Sequence, residues 1–114
     1  MDYKTARQFL IDQGTALETR NPTDAFLLHL EQGQPPIPGQ VTAILLALKI
    51  TFEELKQNST LERELVLALY LLALEGHQKF VAGIDQGVQW PPLLREDLGR
   101  IATAVKSILA GRWF

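Results

Sequence analysis

Enzymatic chemistry needs nucleophiles, paired acids and bases, metal ligands or loops that cradle phosphate, and this chain carries few of them. Cysteine is absent, which removes a thiolate nucleophile, a thiolate metal site and a disulfide framework together. Two histidines, His29 and His77, are too few for a His-only zinc site. Neither has a glutamate three residues before it, as a carboxylate-bridged di-metal bundle requires. His29 sits among Leu27, Leu28 and Leu30 and reads as a structural or partly exposed histidine, and His77 reads as a surface residue. None of the eight glycines stands in a G-x-x-x-x-G-K-[ST] or G-x-G-x-x-G context, so neither phosphate-binding loop is present. Glu53-Glu54 and Glu62-x-Glu64 are close in sequence, but such neighbours point to different faces of a helix and make no acid–base pair. Glu75 with Lys79, and Glu96 with Arg100, are pairs four residues apart in the stabilising order, whereas Lys49 with Glu53 runs in the less favourable order. All three read as solvated surface pairs. The expectation is a protein that is not an enzyme, with no catalytic residue, cofactor or metal.

Two features suit recognition better than catalysis. Gln34-Pro35-Pro36-Ile37-Pro38-Gly39 holds three prolines in four residues. Such a stretch cannot be helix interior, and rigid extended segments dock at low entropic cost. The plainer alternative is a stiff connector between helices. The second feature is aromatic: Trp90 and the terminal Arg112-Trp113-Phe114. Tryptophan is a large apolar surface with one donor, a type enriched at binding hot spots. The plainer alternative is that both tryptophans close the ends of the fold. Pro35, Pro36, Ile37, Trp90, Trp113 and Phe114 are therefore the candidate protein-contact residues.

The elements that position these residues are helical. No stretch alternates in the manner of a strand, and apolar residues recur at spacings of three and four. A helix is expected over 3–13, with Asp2 as N-cap and Gly14 as the C′ residue. A second is expected over 22–32, with Pro22 in the first turn and Gly33 as its stop. After the linker 34–39 comes a helix over 40–57, with Val41, Ile44, Leu45, Leu48, Phe52 and Leu55 on one face. Ser59 and Glu62 read as a capping box for a long helix over 60–86. That helix carries two apolar stripes, Leu61-Leu65-Ala68-Leu72 and Leu67-Tyr70-Leu71-Leu74, so its first half is expected to be buried on most sides at the centre of the fold. Gly76 and Gly83 leave open a bend in its second half. The last helix, 91–110, spaces Leu94, Leu98, Ile101, Val105 and Ile108 as a bundle seam. Glu31-Gln32-Gly33 and Asp85-Gln86-Gly87 form a weak echo, each ending a helix ahead of a Pro-Pro pair. The expected fold is all-α, a single domain of four to five helices, mostly antiparallel or orthogonal, with the two short helices laid on a core of the last three.

With 114 residues and 46% hydrophobic content, the chain is long enough to bury a core of its own. Net charge is −2: residues 1–38 and 39–86 are each acidic by two, and residues 87–114 are basic by two. Those four terminal cations spread around the helix and form no stripe, so nucleic acid is not an expected partner. A helix-turn-helix is disfavoured because the proline linker is too long for its turn. The N-terminus lacks a basic and apolar leader, and the longest uninterrupted apolar run, Leu65–Leu74, is half of what a bilayer needs. Cytoplasmic location without membrane insertion is expected.

The segments Pro35–Leu48 (PPIPGQVTAILLAL), Leu61–Leu74 (LERELVLALYLLAL) and Trp90–Ala104 (WPPLLREDLGRIATA) resemble a group of small uncharacterised cyanobacterial all-helical proteins. The likeness covers most of the chain and implies a photosynthetic bacterium and a cytoplasmic setting. Some members are labelled dethiobiotin synthetase. This sequence does not support that activity, which needs a phosphate loop and an α/β sheet. The functional expectation is a non-catalytic protein–protein interaction module, a small adaptor, regulator or assembly factor. Its partner would be another protein or a second copy covering surplus apolar helix faces. The alternative is a carrier or sensor of a small apolar ligand held between the last three helices.

Overall fold

The computed structural model describes all 114 residues. Six helices follow one another: α1 (Tyr3–Gly14), α2 (Ala16–Thr19), α3 (Phe26–Glu31), α4 (Gln40–Leu55), α5 (Arg63–Asp85) and α6 (Leu94–Ala110). There is no strand. α1 and α6 are each wedged between α4 and α5, and α3 lies on α5. This single all-α domain has one principal core. Leu10, Phe26, Leu30, Ile44, Leu48, Leu65, Leu69, Leu72 and Ile101 are almost wholly removed from solvent there.

α1 begins where its sequence says it should: the Asp2 carboxylate accepts the Thr5 N–H at 2.8 Å. Its end differs from expectation. Gly14 is the last helical residue, not a C′ residue, and Thr15 caps the helix. A Cβ on Gly14 would lie 2.1 Å from the Ala68 carbonyl oxygen. Glycine is required there because α1 and α5 touch backbone to backbone. α1 packs on α4 and α5 as expected, with Ala6 and Leu10 fully buried.

The helix expected over 22–32 is only Phe26–Glu31, and a separate turn of helix, α2, precedes it. Pro22 stands in a turn closed by Ala25 N–H to its carbonyl, after a cis Asn21–Pro22 bond. The N-terminus of α3 is set from elsewhere in the fold: buried Gln13 of α1 accepts the Phe26 N–H at 3.1 Å. The Ser59–Glu62 capping box is not formed. α5 starts at Arg63 with no side-chain cap. The Glu62 carboxylate is instead held by Arg7 of α1 in a two-point pair at 2.7 and 2.8 Å.

α5 runs unbroken through both of its interior glycines. Each lets a neighbour approach: a Cβ on Gly76 would lie 3.1 Å from Leu98, and one on Gly83 would lie 2.4 Å from the Trp90 ring. The echo between Glu31-Gln32-Gly33 and Asp85-Gln86-Gly87 is a pair of matching helix ends. In both, glycine takes positive φ (72° and 85°). The next amide, Gln34 or Val88, then bonds back to His29 or Gly83, while the glycine amide bonds to Leu30 or Ile84. These are two Schellman caps.

By length and composition α5 is apolar enough to cross a membrane, a test that the core helix of a globular protein also passes. Here one side of it packs on α1, α3 and α6. The expectation that its first half is buried on most sides is overturned. Leu65, Ala68, Leu69 and Leu72 are buried, whereas Leu67, Tyr70 and Leu74 face outward. α1 and α6 flank α5, and no helix covers its outer side.

Candidate interaction site

The six residues singled out from the sequence fall into separate places. Pro35 is exposed, and its carbonyl accepts a bond from His29 Nδ1 at 3.1 Å, which makes Nδ1 the protonated ring nitrogen. Half-buried Pro36 and exposed Ile37 border a cleft of about 270 Å³ with Val41, Pro91 and Leu93. The Ile37 amide donates to the Gln40 side chain, whose own amide donates to the Asp24 carbonyl. The linker is thereby tied to the fold at both ends. Trp90 is turned inward: its indole N–H donates to the Phe80 carbonyl at 3.0 Å, and its ring stacks on Phe80 and lies over Gly83.

Trp113 and Phe114 lie near the other end of α4. The Trp113 ring meets Phe52 edge-on at 5.0 Å, with the Lys49 ammonium 3.9 Å from its centroid. Lys106 lies 4.1 Å from the centroid of Phe114, whose amide donates to buried Ser107. The tail is folded back, and each of its rings remains half exposed. Together they wall a groove of about 680 Å³ over Leu45, Thr103 and Ala104, with Lys49, Glu96 and Arg100 at its rim. The structure does not join the proline stretch, Trp90 and the tail into one site. The five clefts are all open to solvent, and none is a closed chamber between α4, α5 and α6.

The largest ordered set of exposed apolar side chains lies on α5. Leu67, Tyr70, Leu74, Val81 and Ile84 are between 36% and 54% exposed. Steps of three, four, seven and three, with polar His77 and Gln78 in the gap, set the first four within about 40° of the direction of Leu74 and Ile84 about 80° from it, over a run of about 26 Å at 1.5 Å per residue. Isolated exposed leucines are ordinary, whereas these are aligned along one side of a single helix. Arg63 and Asp85 stand at its two ends, exposed and without an ion-pair partner. Sequence reading registered the first part of this stripe and placed it in the core. The available signal was its continuation through Val81 and Ile84, on the side of the helix opposite Leu65, Leu72 and Gly76.

The titratable groups form structural networks. Glu31 is held below the usual carboxylate range by its hydrogen bond with Arg20 and by Lys79, 3.7 Å away. Lys79 therefore serves Glu31 rather than the Glu75 expected from the sequence. Glu75 is pushed up by burial and by Glu18, and one of its oxygens is shut away with no hydrogen-bond partner. It borders none of the clefts. The other two sequence pairs are formed, Lys49–Glu53 at 3.2 Å and Arg100–Glu96 at 3.6 Å. Nowhere do three His, Asp or Glu side chains converge in a metal-ligating cluster. The chain matches no protein-family model, no curated protein and no solved structure.

Proposed function

We propose that this chain is a non-catalytic protein-interaction module, a small cytoplasmic adaptor, regulator or assembly factor, whose contact surface is the outer side of α5. The observation that carries this reading is the aligned stripe of half-exposed Leu67, Tyr70, Leu74, Val81 and Ile84 on a helix whose other side is core. A helix pinned to a folded body presents such a stripe already ordered, so a partner binds it at small entropic cost. Tyrosine near its middle is a typical hot-spot residue, with an apolar ring and a polar tip. The resemblance to small cyanobacterial helical proteins supplies no catalytic residue.

The test compares the full chain with the double variant Tyr70→Glu/Leu74→Glu as immobilised baits, offered the free chain and native cell extract in turn. Both positions are exposed, so the variant is expected to keep its helix content and melting temperature. Loss of every protein that wild type retains supports the reading. Equal retention by both baits, or none by either, overturns it.

The second reading, a small apolar ligand, is favoured by one feature: the 680 Å³ groove walled by Trp113 and Phe114. Its rim charges and its openness suit a short peptide or an amphiphile better than a sequestered apolar molecule.

A further inference from the structure

We infer that the occupant of the α5 face is a second copy of this chain, set antiparallel about a two-fold axis at Leu74, with Arg63 of each copy facing Asp85 of the other. The inference rests on reading the outer side of α5 as the contact surface, and adds what covers it. At 100° per residue, Arg63, Leu67, Tyr70, Gln78, Val81 and Asp85 all lie within about 40° of the direction of Leu74. The steps between them, Leu74 included, are four, three, four, four, three and four. That series reads the same in both directions. Turning a second α5 end for end about Leu74 therefore brings like levels together: Leu67 meets Val81, Tyr70 meets Gln78, and Leu74 meets itself.

The chemistry at each level agrees with that pairing. Within that arc the apolar levels meet apolar levels, and Ile84, about 80° from Leu74, lies outside it. The Tyr70 hydroxyl faces a side-chain amide that both donates and accepts. The end levels have opposite charge, and neither Arg63 nor Asp85 is engaged within its own chain. No other charged side chain falls within that arc. A parallel pair would set Arg63 against Arg63 and Asp85 against Asp85, and would align the two helix dipoles unfavourably. The antiparallel pair is isologous, so it closes as a dimer and each contact occurs twice. A bilayer surface fits less well, because Gln78 interrupts the stripe, Asp85 closes it with a negative charge, and the chain is acidic overall.

The experiment is sedimentation velocity across a concentration series, on the full chain, on Arg63→Asp, on Asp85→Arg, and on the two substitutions combined. Both sites of change are at the surface, and circular dichroism checks that each variant is folded. Wild type is expected to dimerise. Each single reversal sets like charges together twice per dimer and is expected to weaken association about tenfold. The combined variant is expected to return to near the wild-type constant. Rescue of this kind requires Arg63 and Asp85 to face each other between copies. Four monomers, four equal dimers, or a combined variant as weak as the singles would each overturn the pairing, as would flotation of the monomer with neutral phosphatidylcholine vesicles. A monomeric wild type whose Tyr70→Glu/Leu74→Glu variant still loses a heterologous partner would overturn this inference alone and leave the α5 contact surface standing.

Discussion

Gly14 sets the spacing between the two helices that meet most closely. With a Cβ 2.1 Å from the Ala68 carbonyl oxygen, Gly14→Ala cannot be absorbed by a side-chain rotation, since the obstructing atom is backbone. The substitution is expected to cost about 3 kcal/mol, the upper end for overpacking, and to lower the melting temperature by about 10 °C. A melt within 2 °C or so of wild type would show that α1 can lift from α5 freely. Glu75 acts in the opposite sense. Its ionised form is disfavoured by burial and by Glu18, so its folded pKa lies above the ordinary value of 4.5. Between the two values the folded chain binds more protons than the unfolded one, and stability falls as pH rises. Glu75→Gln is therefore expected to raise the melting temperature at pH 7, with the gain fading as pH falls through the raised folded pKa and gone below 4.5. A gain independent of pH would assign the effect to the missing hydrogen bond alone.

Among the elements, α5 and the C-terminal tail divide the work between contact and closure. The tail lays Trp113 on the edge of Phe52 under Lys49 and anchors Phe114 on Ser107. A chain ending at Gly111 is expected to lose about 1–2 kcal/mol, from one aromatic pair and its cation contacts, and to keep the oligomeric state of the full chain. A change of oligomeric state on truncation would move the contact surface from α5 to the tail. The boundaries of α1, α4 and α6 were readable within a few residues because their signals are local: a capping aspartate, an apolar period, a closing glycine. The start of α3 was not, because its cap is Gln13, thirteen residues upstream. The start of α5 was misread because Arg7, fifty-five residues away, takes the carboxylate that a capping box would use. Gly76 and Gly83, read in isolation, leave a bend open. Their reason lies in Leu98 and Trp90, which only the folded chain brings near.

For the molecule as a whole, the all-α class was legible in composition and period, but the allocation of faces was not. Period shows that α5 has two apolar sides. Only the arrangement of α1, α3 and α6 around it decides which side is core and which is left outward. The proline stretch and the aromatic tail stood out by residue type, and both prove to be tied into the fold while keeping exposed surface. The α5 stripe is the larger apolar feature, and its spacing is its own mate. The absence of cysteine makes one measurement especially direct: oxidative cross-linking of single-cysteine variants. Leu74→Cys lies on the proposed axis and is expected to form a disulfide-linked dimer readily. Leu67→Cys and Val81→Cys are each expected to cross-link poorly alone and well when mixed. Cross-linking of Trp113→Cys in preference to Leu74→Cys, or efficient self-linking of Leu67→Cys, would contradict the account.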